Sequence, residues 1–149
     1  MKKKALIRSM LILLPVLAVG LATTADSVTV FDTVTKQTQY FSYFDILPVK
    51  NLQMVTPVAA LLAAASGILA ALYLSGKKEN VLKAVGYLAL ASACAAGIPP
   101  ILREEIMVIP NVALPIFMIL QYFVSSYVGK LQAQGSETVE KQKRLPRRK

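Results

Sequence analysis

The feature that most constrains this chain is Met54–Leu74, MVTPVAALLAAASGILAALYL, which runs for 21 residues without a charged side chain. A bilayer core about 30 Å thick is crossed by roughly 20 apolar residues in a helix. A helix also satisfies its own backbone hydrogen-bonding groups, as the hydrocarbon interior requires. The segment therefore predicts a transmembrane helix, and the other segments are interpreted relative to it.

Three further apolar blocks lie at about 7–25, 84–102 and 109–129. With 55% hydrophobic residues and a mean hydropathy of +0.53, the chain is more apolar than an ordinary soluble domain. We therefore predict an all-α membrane protein, with a four-helix transmembrane bundle over 1–131. The polar residues 132–149 have no apolar periodicity and predict a basic, disordered cytoplasmic tail.

The formal net charge of +9 is distributed unevenly along the sequence. The first eight residues carry four bases, the segment 77–83 has a net charge of +2, and the tail from Lys130 has +5. The two remaining connections, 26–50 and 103–105, together carry −2. This alternation is typical of the positive-inside rule, so we predict a multi-pass plasma-membrane protein with both termini cytoplasmic. It also argues for the lipid bilayer, and against nucleic acid, as the partner of these bases.

The first apolar block allows two interpretations. Thr23-Thr24-Ala25 has the small residues of a signal-peptide cleavage site, which would remove residues 1–25. Alternatively, the uncharged stretch Ser9–Ala25 is long enough to be a retained first span. In either case the loop 26–50 lies outside the membrane, so the later topology is unchanged.

The external loop carries a strand pattern in Ser27–Thr35, whose alternate valines share one face: Val28, Val30 and Val34. A turn near Lys36 would let Gln37–Ile46 pair with this strand as a short external β-hairpin between spans 1 and 2. A lone hairpin is only marginally stable in water, so it would need support from the helix ends or from a partner.

An aromatic cluster in the same loop also has two interpretations; its members are Tyr40, Phe41, Tyr43 and Phe44. The cluster fits an aromatic belt at the membrane interface. It equally fits a surface that docks a partner, since exposed aromatic side chains are enriched at interfaces.

Small residues recur every four positions in spans 2 and 3: Ala59, Ala63, Gly67 and Ala71 in one, and Ala89, Ala93 and Gly97 in the other. Such ridges let helix backbones approach closely in a membrane. We predict that the two spans pack together, or that one ridge packs against another chain. Gln121, in the fourth span, is predicted to hydrogen-bond to a neighbouring helix; alternatively it lines a polar path with Thr56, Ser66 and Ser92.

The basic end of the tail predicts attraction to anionic lipid, unless it is only a solvated topology anchor; its bases are Lys141, Lys143, Arg144, Arg147, Arg148 and Lys149.

The residue types present exclude several chemistries. The sequence has no histidine and one cysteine, Cys94, which leaves no usual zinc site, no Ser-His nucleophile and no cysteine pair. Cys94 itself is predicted to be an inert, buried thiol. The aspartates Asp26, Asp32 and Asp45 all lie in or beside the external loop, so none reaches membrane depth. We therefore predict no enzyme, no metal and no cofactor.

The stretch Tyr40–Pro48, YFSYFDILP, followed by a proline-containing span, resembles small four-span integral membrane proteins of Gram-positive bacteria that have no assigned activity. The resemblance covers roughly residues 38–62. It implies the same four-span, bacterial membrane topology and carries over no functional residue.

The resulting functional hypothesis is a small non-enzymatic accessory or interaction subunit, which would bind another membrane protein or itself through its helices or its aromatic loop. The alternative is a homo-oligomeric channel or small-solute carrier.

Overall fold

The computed structural model describes residues 2–24, 26–47, 54–76, 78–97 and 106–144. Within these residues the chain forms four helices: α1 (Lys2–Ala22), α2 (Val55–Gly76), α3 (Glu79–Gly97) and α4 (Ala113–Arg144). It also forms three short strands: β1 (Val28–Asp32), β2 (Thr38–Phe41) and β3 (Ile106–Pro110). The protein is therefore mostly helical, with a small three-stranded sheet. The all-α prediction included only a short two-stranded hairpin.

The helices pack as a ring, in which each contacts its neighbours in sequence and α4 returns to α1. All four contain a stretch long and apolar enough to cross a membrane; these stretches are Ala5–Ala22, Val55–Gly76, Glu79–Gly97 and Ala113–Gln134. The prediction of four apolar helices is therefore confirmed in the length and composition of the helices. Much of the buried core consists of alanine, which permits close helix packing.

The starts of α3 and α4 differ from the predicted ones. α3 begins at Glu79 rather than near residue 84, and its first turn contains an exposed ion pair of 2.8 Å between Glu79 and Lys83. α4 begins at Ala113 rather than near residue 109. Its start follows Asn111, whose Oδ1 accepts a hydrogen bond of 2.9 Å from the Ala113 N–H, as an N-terminal cap does.

The sheet has the order β2-β1-β3, and both pairings are antiparallel. The predicted hairpin is present as β1 and β2, and its turn contains Lys36 in a left-handed conformation with φ 54°. Val34 lies in this turn and is exposed, so it does not continue the buried face of Val28 and Val30. β3 comes from the connection between α3 and α4 and completes the sheet on the other side of β1.

The inner face of the sheet packs on one end of the bundle. Val28, Val30 and Val108 belong to the same buried cluster as Ala59 of α2 and Leu114 of α4. The hairpin therefore has the support that an isolated one would lack. We call this end of the bundle, where α1 and α3 end and α2 and α4 begin, the sheet end, and the opposite end the basic end.

The polar tail differs from its prediction as well, since α4 continues as a helix to Arg144. The tail is rich in Lys, Gln and Glu, which are good helix formers and are also common in disordered segments. Composition alone therefore did not separate the two states. Several predicted features lie outside the described residues, namely Lys50, Lys77 and the acidic connection 103–105.

Candidate functional site

The candidate site is the outer face of the sheet, which points away from the bundle. The strand register places Thr29 of β1 between Tyr40 and Ile109, and Phe31 between Thr38 and Met107. We call these six side chains the outer sheet face. Because side chains alternate along a strand, this face is set by the burial of the valines on the other side.

The outer sheet face is largely apolar and accessible. Tyr40 is 60% exposed, Ile109 is 52% exposed and Met107 is 40% exposed. Phe31, between them on the central strand, is half-buried. A contiguous apolar surface of this kind, on a supported sheet, is typical of a surface that contacts another molecule.

Tyr43 fixes the sheet and the loop to the helices. Its side chain is fully buried, its N–H donates to the Ala22 carbonyl at 3.0 Å, and its hydroxyl donates to the Asn111 carbonyl at 2.9 Å. These bonds join the end of α1 to the junction between β3 and α4. Burial raises the pKa of Tyr43 to about 12, so the hydroxyl is a proton donor at all physiological pH values.

A tight turn places neighbouring aromatic residues on different sides of the loop. The Ser42 N–H donates to Asp45 Oδ2 at 2.6 Å, and the Asp45 N–H donates to the Ser42 carbonyl at 3.2 Å. Tyr43 thereby points into the core, whereas Phe44 remains 39% exposed.

The predicted aromatic docking cluster is thus divided. Tyr43 is a fully buried core residue, so its ring is not accessible to a partner, and Phe41 is partly buried against the core. Tyr40 and Phe44 are the accessible members. The sequence pattern does not place Met107 and Ile109 in the site, because they belong to one uninterrupted apolar run with the fourth helix.

Gln121 lies at the centre of a second polar cluster, inside the bundle. Its side chain is fully buried; Nε2 donates to the Leu11 carbonyl of α1 at 3.1 Å, and Oε1 accepts from the Ser66 hydroxyl of α2 at 3.0 Å. We call these three groups the Gln121 node. The node connects three helices, which is the role predicted for an amide in a membrane span.

Pro15 explains why the Leu11 carbonyl is available to the node. A proline lacks the N–H that would otherwise bond to the carbonyl four residues earlier, which here is that of Leu11. The same proline packs on α2 at Gly67, where an added Cβ would lie 3.3 Å from the Pro15 Cβ. Gly67 therefore makes room for Pro15 on α1.

The remaining members of the two small ridges have different neighbours. Ala59, Ala63, Ala89 and Ala93 are buried, and the Ser92 hydroxyl of α3 donates to the Ala59 carbonyl of α2 at 2.8 Å. Ala71 and Gly97 are exposed. The ridges thus contribute to the α2–α3 contact mainly in the half nearer the sheet end.

Cys94 is exposed on α3, which corrects its expected burial. In the part of the chain that the structure describes, no three metal-ligating side chains cluster.

The chain matches no protein-family model, and neither curated proteins nor solved structures show significant similarity to it. What the fold defines is a class: a mostly helical protein with four helices apolar enough to cross a membrane and a three-stranded sheet at one end.

Proposed function

We propose that the protein is a non-enzymatic, multi-pass subunit of the plasma membrane that binds a partner membrane protein through its outer sheet face. The observation that carries the proposal is this exposed apolar face on a rigid support. Its inner valines are buried and Tyr43 ties it to α1 and α4, so the surface is preformed. A preformed surface binds at a lower entropic cost than a flexible loop.

The charge distribution supports the membrane topology that this function needs, in which the sheet lies outside the cytoplasm. The start of α1 with its bases, Lys78 and Lys130 lie at the basic end, whereas the described loops of the sheet end contain three acids, Asp26, Asp32 and Asp45, and one base, Lys36. Under the positive-inside rule the basic end is cytoplasmic, and the sheet is extracytoplasmic. The outer sheet face would then meet the external domain of a neighbouring protein.

The buried polar residues support packing over a pore within the single chain. Gln121, Ser66 and Ser92 each bond to a helix backbone or to one another, and all three are fully buried. Among the residues that the structure describes, no comparable observation favours the alternative, a homo-oligomeric channel or small-solute carrier.

The test is site-specific photo-crosslinking in cells. A photoreactive side chain at Met107, in the outer sheet face, should capture one partner reproducibly, and the double substitution Tyr40→Ser/Ile109→Ser should reduce this product at least tenfold. The matched control is Val34→Ser, which changes an exposed apolar residue of the hairpin turn outside the face. Equal crosslinking in all three proteins would contradict the proposal.

A further inference from the structure

A groove of about 290 Å³ lies between α3 and α4 at the basic end of the bundle. Six of its lining residues matter here: Lys83, Gly86 and Tyr87 of α3, and Tyr122, Ser126 and Gly129 of α4. The two glycines bring no side chain into the space between the helices. At Gly86, an added Cβ would lie 2.7 Å from the Ser125 hydroxyl, so the helices approach closely beside the groove.

Under the proposed membrane threading, the groove spans the depth at which a lipid headgroup meets its acyl chains. Glu79 is the first residue of α3, and Tyr87 lies eight residues further, or about 12 Å along the helix axis. The polar groups of Lys83 and Ser126 therefore lie near the membrane surface, and the two aromatic rings lie deeper. From the surface inwards, the groove thus offers a charged group, a hydroxyl group and aromatic rings. A phospholipid offers its phosphate, its glycerol esters and its acyl chains in the same order.

The charges at the mouth of the groove favour an anion. Lys83 lines it, and Lys78 and Lys130 are close to it along the chain, whereas Glu79 is the one acid among the lining residues. Glu79 pairs with Lys83, but both side chains are more than half exposed. An exposed pair of this kind is weak, so a phosphate could displace the carboxylate from the ammonium group.

We propose that this groove binds an anionic phospholipid, with the phosphate at Lys83 and one acyl chain against Tyr87 and Tyr122. The inference rests on the proposed membrane threading and is independent of the outer sheet face. A net-anionic lipid is favoured over a zwitterionic one, because a choline group would meet the lysines at the mouth. The site is distinct from the basic tail, whose attraction for anionic lipid would not be confined to one groove.

The absence of tryptophan from the sequence makes a local test direct. Tyr87→Trp places a single tryptophan, whose emission can be excited selectively over that of tyrosine, in the groove. Ile68→Trp is the matched control, since Ile68 is exposed on α2 and lies eight residues before its end at Gly76. Each variant is reconstituted with brominated phosphatidylglycerol or brominated phosphatidylcholine, and quenching gives the relative affinity of the two lipids at that site.

We expect Tyr87→Trp to prefer phosphatidylglycerol about fivefold, which is the contribution of one lysine near the surface, and Ile68→Trp to show no preference. Adding Lys83→Gln should abolish the preference, and adding Glu79→Gln should increase it. Both side chains are exposed, so neither change should unfold the protein.

Equal preference at both reporters would overturn the proposal in favour of a general enrichment by the basic end. Absence of preference at the Tyr87→Trp reporter, or a preference there that survives Lys83→Gln, would also overturn it. Because the assay uses the reconstituted protein alone, its failure would not affect the partner proposed for the sheet.

Discussion

The carbonyl oxygen of Leu11 is a buried acceptor that its own helix cannot satisfy, because the residue four positions later is Pro15. Gln121 satisfies it from α4, and Ser66 holds the other end of the amide. A hydrogen bond from Gln121 to a neighbouring helix is predictable from the sequence, but the identity of the group that accepts it depends on how three helices pack. Pro15 is the sequence feature that could have indicated this acceptor, since a proline within a helix always leaves one carbonyl without its usual donor.

This arrangement predicts an energetic coupling between Pro15 and Gln121. Gln121→Leu should lower the free energy of unfolding by about 1 kcal/mol, because it leaves the Leu11 carbonyl without a donor. In a Pro15→Ala background the alanine N–H can bond to that carbonyl, so Gln121→Leu should cost less there. Reversible unfolding in mixed micelles measures the four proteins of this cycle.

Ser126→Ala, an exposed substitution on the same helix, serves as the control and should show no coupling to Pro15→Ala. Additive effects of Pro15→Ala and Gln121→Leu would contradict the proposed cause.

Tyr43 predicts a loss of stability at high pH. Its folded-state pKa of about 12 lies above the ordinary value of 10.0. Its contribution is therefore complete below pH 10 and is lost as the pH rises from 10 through 12, because the unfolded chain ionises first. Tyr43→Phe should cost about 1 kcal/mol at neutral pH through the lost hydrogen bond, and should flatten this part of the pH profile. Thermal unfolding between pH 7 and 12, compared with the exposed Tyr40→Phe, measures both effects.

At the scale of elements, the hairpin was predictable and β3 was not. Alternating valines and a polar turn indicate β1 and β2 directly. Ile106–Pro110 instead joins the apolar run of α4 without a break, and periodicity cannot separate a short buried strand from the beginning of an apolar helix. The strand gives way to the helix at Asn111, whose side chain caps the start of α4.

The hairpin turn is predicted to weaken in acid. The Thr35 hydroxyl, and then the N–H groups of Thr35 and Val34, donate to the Asp32 carboxylate and lower its pKa. Because the folded pKa is lowered, this stabilisation is present above the unfolded pKa, near 4, and is lost as the pH falls through the folded value. Hydrogen exchange of the Val34 and Thr35 amides should accelerate at low pH, relative to the intrinsic rate, in the natural protein. In Asp32→Asn this acid-dependent component should be absent.

The β1–β3 pairing predicts a specific crosslink. In a Cys94→Ser background, Thr29→Cys/Ile109→Cys should form a disulfide on mild oxidation, because facing residues of adjacent strands lie about 5 Å apart. Tyr40→Cys/Ile109→Cys is the matched control, since these residues lie on the two outer strands, about 9.5 Å apart. Gel mobility before and after reduction measures the bond. Equal crosslinking in both proteins would contradict the strand order.

At the scale of the whole molecule, hydropathy was sufficient to predict four long apolar helices, because helix length and apolarity depend on local sequence. It was not sufficient to predict which helices share a polar contact or which loops share a sheet, because both depend on residues far apart in the chain. The proposed orientation rests on the charge distribution.

The orientation can be tested by labelling intact cells with a membrane-impermeant maleimide. In the Cys94→Ser background, Lys36→Cys in the hairpin turn should react, and Lys78→Cys at the basic end should react only after the cells are permeabilised. The opposite pattern would reverse the threading and would place the sheet in the cytoplasm.

The central position of β1 also has a consequence for how the protein is made. β1 pairs with β3, which follows it by about 80 residues, so one edge of the hairpin stays open until the ribosome has produced α2 and α3. During that interval an unpaired edge next to apolar side chains is available to other nascent chains. We therefore expect biogenesis of this protein to be most vulnerable between the synthesis of the first loop and that of the second, for a period that depends on translation speed through α2 and α3.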